Sequence, residues 1–184
     1  IKNFSNADLN IYYCANEMKG IQNKNIQIDK IEKLFFKESD ITFVISDNLK
    51  IKANKFSKSV FFLPAGVELN KFNYKKIKKI IPVSGKPVIG YIGAITEVFD
   101  LNLLEFISKQ NPNLNFILIG RIYVDVTRLK KINNIFFLGE INHSKLPAYL
   151  KGFDVGIIPY KVNNFTNSVY SCKLNEYLSM GLPV

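Results

Sequence analysis

The strongest constraint on this chain is a set of short, unbroken apolar runs separated by helical signals. Ile41 to Ile45 (ITFVI), Pro87 to Ile92 (PVIGYI) and Leu114 to Ile119 (LNFILI) show no in–out alternation. A strand reads that way when both of its faces are covered, as in a parallel sheet flanked by helices. Asn10 to Cys14, Val60 to Leu63, Ile135 to Leu138 and Val155 to Ile158 read as further strands. Helical stretches fall between them: Asp29 to Lys37, with Ile31, Leu34 and Phe35 expected inward, then Asp47 to Lys55 and Asp100 to Gln110. Asp125 to Lys131, Ser144 to Lys151 and Ser171 to Met180 complete the set. Repeated β-α units of this kind predict an α/β fold with parallel sheets.

The alternation breaks once. Ala65 to Ser84 holds Gly66, a lysine-rich patch and Pro82 without a clean period, and reads as an interdomain linker. The expected division is 1–64, a linker over 65–84, and a second domain over 85–184. With 184 residues, 47% of them hydrophobic, the chain has enough apolar material for one large domain or two small ones. It does not begin with Met and it stops on Leu182-Pro183-Val184, where a buried strand is expected to start. A fragment truncated at both ends is the expectation, and activity of the piece alone is not expected. No run reaches membrane-span length and no signal segment opens the chain. Cys14 and Cys172 lie far apart without metal spacing, which fits reduced thiols in a cytoplasmic protein, with Cys172 as a space-filling thiol.

The formal net charge is +10, from 25 Lys+Arg against 15 Asp+Glu. Such an excess serves nucleic acid, an anionic membrane or an anionic substrate. The absence of an aromatic-plus-basic strand motif, a zinc box or a helix-turn-helix pattern argues against nucleic acid. A weak electrostatic contact with an anionic membrane, at the inner face of the plasma membrane, fits better. Codon usage of an AT-rich genome is a competing source of the dispersed lysines.

Ligands of open parallel sheets bind where strands end and helices begin. Gly93-Ala94-Ile95-Thr96, Gly120-Arg121, Leu138-Gly139 and Pro159-Tyr160 all fall at such positions. Gly93 allows close backbone approach to a phosphate, although the full dinucleotide fingerprint is missing. Arg121 is a natural phosphate fork, or an exposed loop charge. Leu138 and Gly139 offer backbone groups to a base edge. His143 sits at a helix start and reads as a surface cap. Glu17, just past the first strand, would face a cleft if two domains meet there.

The last helix carries an electrostatic oddity. Lys173 stands in its first turn, where the macrodipole favours an anion. Ser168 and Ser171 upstream can cap free amides or donate to a phosphate. Glu176, a turn further, can accept two hydrogen bonds from a ribose diol. These residues fit a nucleotide, and they fit equally an amphipathic helix with an exposed Lys–Glu pair.

Taken in order, Phe62-Leu63-Pro64-Ala65-Gly66-Val67-Glu68 with Phe72, Gly90-Tyr91-Ile92-Gly93, Phe137-Leu138-Gly139 and Leu146-Pro147-Ala148-Tyr149-Leu150 lead to Phe153-Asp154-Val155. Lys173-Leu174-x-Glu176-Tyr177-Leu178-x-x-Gly181-x-Pro183-Val184 closes the series. Over residues 40–184 this set resembles the group 1 (family 4) GT-B glycosyltransferases, especially bacterial enzymes of cell-surface polysaccharide assembly. The resemblance implies two Rossmann-like domains, the first only partly present. The second would bind a nucleotide-sugar, a UDP-sugar by expectation. The first would face a polysaccharide or lipid-linked glycan acceptor, Glu17 being its candidate here. It implies transfer with retention and no bound metal or other cofactor, the diphosphate being stabilised by a helix start and basic side chains.

Carried over residue by residue, Glu176 would hold the ribose. Lys173 and the Leu174 backbone would face the diphosphate, with Arg121 nearby as the second catalytic cation. Gly93 would line the phosphate loop, Leu138 and Gly139 would border the base, and Ser168 and Ser171 would complete the nucleotide-sugar contacts. The sequence departs from the family at Ser168, where many relatives have a sugar-binding glutamate. It departs again between Gly93 and Asp100, which lacks the usual Arg and Lys. A nucleotide-sugar 2-epimerase and a non-catalytic module on the same fold are the alternatives.

Overall fold

The computed structural model describes residues 7–17, 26–80, 83 and 85–184; Pro82 and Ser84 of the expected linker lie outside them. These residues form two compact units. The first takes the described residues up to Ala65 together with Val162–Tyr170, and the second takes Gly66–Lys161 with Ser171–Val184.

In the first unit, β1 (Ile11–Cys14), α1 (Ile26–Glu38), β2 (Ile41–Val44), α2 (Asp47–Ala53) and β3 (Val60–Phe62) follow one another. The strands pair in parallel in the order β1-β2-β3. Asp40 closes the turn into β2 by accepting the Asn10 N–H at 2.9 Å. Ser46 caps α2 through the Leu49 N–H and donates its own hydroxyl to the Ser168 carbonyl at 2.7 Å. Cys14, Phe36, Val44, Ile45, Leu49 and Ala53 fill the core.

The inward face of α1 is not the one its apolar spacing predicts. Ile31 and Leu34 are 50% and 51% exposed, while Phe36 and Glu32 are buried. The cause is ionic: Lys52 of α2 pairs with both Glu32 and Glu17. Turning Glu32 toward that ammonium brings Phe36, four residues on, into the core.

In the second unit, β4 (Val88–Ile92), α3 (Leu101–Gln110), β5 (Asn115–Ile119), β6 (Ile135–Gly139), α4 (Leu146–Leu150), β7 (Val155–Gly156) and α5 (Cys172–Ser179) build a parallel sheet of order β6-β5-β4-β7. Every residue of β5 is buried. Ile117 and Ile119 join one apolar cluster, Phe116 and Leu118 another. The two clusters lie on opposite faces of the sheet, which explains the unbroken apolar run in the sequence.

Some local expectations change. Asp125 to Lys131 is not a helix; only Leu129–Lys131 makes a single tight 3-10 turn. The Asp125 carboxylate accepts the Thr127 N–H at 2.9 Å and its hydroxyl at 2.6 Å, a local closure that competes with helix formation. Cys172 is exposed rather than space-filling, whereas Cys14 is buried. Between Gly66 and Ile80 there is no helix or strand. Phe72 from that stretch is buried in the second unit's core with Leu146 and Leu150. Lys151 holds the same stretch by donating to the carbonyls of Tyr74 and Ile77 at 2.6 and 2.8 Å. Among the described residues no helix is long and apolar enough to cross a membrane.

Candidate functional site

Strands β4, β5 and β6 of the second unit end on glycines with positive φ: Gly93 at 150°, Gly120 at 146° and Gly139 at 71°. The Gly93 N–H donates to the Ile119 carbonyl at 2.8 Å, and the Gly120 N–H to the Gly139 carbonyl at 2.7 Å. A Cβ on Gly120 would come within 2.1 Å of the Gly93 oxygen. Glycine is required there because the two loops nest against each other. Beneath them opens a cavity of about 250 Å³, bordered by Gly93, Gly120, Arg121, Tyr123, Glu140 and Leu146.

Helix α5 begins without a side-chain cap. Ser171 occupies the N-cap position in extended conformation but bonds no amide. Its hydroxyl is buried and has no hydrogen-bond partner. The capping expected of Ser171 does not occur, which leaves the positive helix end available to an anion.

Lys173 avoids the clash with the dipole by bending away along aromatic surface. Its ammonium donates to the Tyr160 hydroxyl at 3.0 Å and lies 5.8 and 5.7 Å from the ring centres of Tyr91 and Tyr160. Its stem crosses the Gly93 loop so closely that a Cβ on Gly93 would sit 2.1 Å from Lys173 Cε. Thus Gly93 and Lys173, eighty residues apart, occupy one place. Tyr160 is the partner that sequence reading placed at a strand end without giving it a role.

One turn later, Glu176 Oε1 lies 3.4 Å from His143 Nε2. The His143 ring stands edge-on to Phe72, with ring centres 5.4 Å apart. The capping expected of His143 belongs instead to Asn142, whose carboxamide oxygen accepts the Ser144 N–H at 3.0 Å. Helix α5 is anchored by buried Tyr177, whose hydroxyl accepts the Ile92 N–H at 2.8 Å. Burial pushes the Tyr177 phenol well above its ordinary pKa, so it stays neutral in that contact.

Arg121 stands at the cavity, but not as a free cation: Glu140 accepts from it at 2.6 and 3.1 Å. Both side chains are largely exposed, and that pairing holds the guanidinium pKa above its usual value. Glu140 immediately follows Gly139, and a charge partner for Arg121 at the next strand end was the missed signal. Leu138 is half-buried and packs against the core, and the Leu174 N–H donates to the Ser171 carbonyl at 3.0 Å.

Two expected residues belong to the first unit. Ser168 is buried there and donates its hydroxyl to the Phe165 carbonyl at 2.7 Å. Glu17 pairs with Lys52. Among the described residues no three His, Cys, Asp or Glu side chains cluster as a metal site would need.

No family model matches the chain. TuaH of Bacillus subtilis (strain 168), a protein named for glycosyltransfer in teichuronic acid biosynthesis, is 29% identical over 126 residues, 65% of this chain and 32% of TuaH. Sucrose-phosphate synthase from Thermosynechococcus elongatus superposes with a TM-score of 0.71 at 17% identity, over 95% of this chain and 48% of that one. Anabaena HepE, solved with UDP and glucose, gives 0.73 at 14% identity, over 95% of this chain and 51% of that one. The chain has the GT-B glycosyltransferase fold. The motif resemblance to GT-B glycosyltransferases is matched by parallel sheets in both units. The chain spans about a third of TuaH and about half of the solved GT-B chains.

Proposed function

We propose that the protein is a group 1 (family 4) glycosyltransferase that takes a sugar from a UDP-sugar and transfers it, with retention, to a polysaccharide or lipid-linked glycan in the cytoplasm. In this reading the first unit, which includes Val162–Tyr170, belongs to the acceptor side, and the second, which takes in Phe72 of the expected linker, holds the donor. The observation that carries it is the meeting of Lys173 with the Gly93 loop beside the uncapped start of α5. A diphosphate set there would meet the positive start of α5, the Ser171 hydroxyl and an ammonium preorganised by two tyrosines. Charge developing on the departing diphosphate is stabilised by groups already in position, without a bound metal. Arg121 adds to this once a ligand competes with Glu140. Glu176, four residues beyond Cys172 on α5, accepts from the ribose hydroxyls. That HepE is solved with UDP-glucose supports the choice of nucleotide.

The test is calorimetric titration of the intact protein with UDP and with pyrophosphate. Lys173→Met is expected to weaken both ligands, by about 10- to 100-fold for a lost charged hydrogen bond. Glu176→Ala is expected to weaken UDP by a similar factor and leave pyrophosphate unchanged. Wild-type protein without UDP affinity, or variants that bind like wild type, would refute the assignment.

A further inference from the structure

One segment of the chain changes units twice. The chain leaves the second unit after Lys161, runs through the first as Val162–Tyr170, and returns at Ser171. The return falls on the N-cap position of α5, two residues before Lys173. A single peptide bond therefore joins the start of α5 to a strap that belongs to the first unit.

The strap is stiffened by its own hydrogen bonds. The Thr166 hydroxyl accepts the Asn163 N–H, and the Asn163 carboxamide oxygen accepts the Thr166 N–H, each at 3.0 Å. The pair is reciprocal, as in a capping box, and it opens a 3-10 turn over Thr166–Ser168. The Asn167 N–H closes the turn on the Asn163 carbonyl at 2.9 Å. A segment closed on itself moves as a body and passes a displacement on to its ends.

The first unit holds this body at three points. The Ser46 hydroxyl donates to the Ser168 carbonyl and the Asn48 carboxamide to the Asn167 carbonyl, both at 2.7 Å. Tyr170 packs against the core cluster that contains Cys14, Phe36, Val44 and Leu49. The two polar holds are separate from the folding of α2. Ser46 caps that helix by accepting the Leu49 N–H, and its proton remains for the strap. Asn48 is exposed.

We infer that Ser46 and Asn48 are positioning residues for the donor site. Acting through the strap, they fix where α5 begins, and with it the placement of Ser171 and Lys173. The helix does not fix its own start, because Ser171 makes no cap bond. The consequence for UDP rests on the proposed function, whereas the ordering of α5 stands apart from it.

Two substitutions remove the holds and spare the helix cap. Ser46→Asp keeps an acceptor for the Leu49 N–H and loses the donor to Ser168. Asn48→Asp loses the donor to Asn167. In the intact protein the double variant is expected to speed amide hydrogen exchange at Leu174, Asn175 and Glu176 by about tenfold. Exchange at Ile107 and Ser108 of α3 is expected to stay as in wild type. UDP affinity, measured by calorimetry, is expected to fall by about fivefold. Ser46→Thr, which keeps both the cap and the donor, is expected to match wild type in both measurements. Unchanged exchange at the start of α5 in the double variant would overturn the proposal, whether or not UDP binds. So would faster exchange with undiminished UDP affinity, since the start of α5 would then not govern the site. Faster exchange in a protein whose wild type binds no UDP would sink the nucleotide reading and uphold the positioning of α5. If the double variant does not fold, Asn48→Asp alone is expected to give about a threefold change in exchange, judged in the same way.

Discussion

Helices α1 and α5 each turn one polar group into a core, and they satisfy it by different means. α1 buries the Glu32 carboxylate against the ammonium of Lys52, which also serves Glu17. α5 buries the Tyr177 phenol, which accepts a single backbone N–H from Ile92. The first arrangement is ionic: removing one partner strands a charge in the interior. The second is neutral, and its loss leaves one unpaired amide. The contrast teaches that a buried polar group is as fragile as the group it would leave behind.

The largest effect is expected at Lys52. Lys52→Met keeps the length of the side chain and leaves Glu32 uncompensated, with an expected loss of about 3–5 kcal/mol in urea unfolding. Adding Glu32→Gln to that variant is expected to recover part of the loss, because the stranded charge is gone. A single-variant cost below about 1 kcal/mol would break the contrast, since the ionic knot would then behave like an exposed pair.

The neutral side of the comparison predicts a smaller number. Tyr177→Phe keeps the ring packed and removes only the acceptor for the Ile92 N–H, with an expected cost of about 1–3 kcal/mol by the same measurement. A larger cost would mean that the hydroxyl holds more than that amide. If the proposed UDP site is right, UDP affinity of this variant sharpens the test further. α5 presents Lys173 and Glu176, and a helix loosened by one bond is expected to bind a few-fold more weakly.

The same contrast marks what could be read from the sequence. β2, β4 and β5 were legible because continuous apolar runs have one good solution, a strand covered on both faces. Gly93, Gly120 and Gly139 were legible as strand ends because glycine marks a backbone that turns. The facing of α1 was not, since apolar spacing is blind to an ion pair formed by Glu32 with a residue twenty positions away. The Lys173–Tyr160 contact escaped for a related reason. A cation at a helix start reads as unfavourable until the aromatic surface that receives it is in place. Arg121 read as a phosphate fork or an exposed loop charge; it is exposed, and its pairing with Glu140 was not legible because it depends on the pairing that brings the ends of β5 and β6 together.

The smallest effect separates the two units by pH. Burial pushes the Cys14 thiol from its ordinary 9.0 up to about 11, within a pocket that also faces Tyr12, Glu32, Glu17 and Lys52. A thiol that holds its proton more tightly in the folded state contributes stability fully present below its unfolded pKa. That stability is lost as pH rises through the folded value. Tyr12 is raised by burial too; at Lys52 burial pulls the pKa down but the two carboxylates outweigh it, so both contributions have the same sign at still higher pH. In the second unit the raised groups are the phenols of Tyr91 and Tyr177, whose ordinary value is 10.0, and the more basic Arg121, so alkaline loss starts later there. Cys14→Ala removes the earliest of these contributions and leaves a small cavity whose cost does not depend on pH. The stability gap between wild type and Cys14→Ala is therefore expected to narrow by about 1 kcal/mol between roughly pH 8 and pH 10. A gap that stays constant would mean that the thiol ionises as easily in the folded protein as in the unfolded chain. The pocket beneath α1 would then be wetter than its ion pairs require.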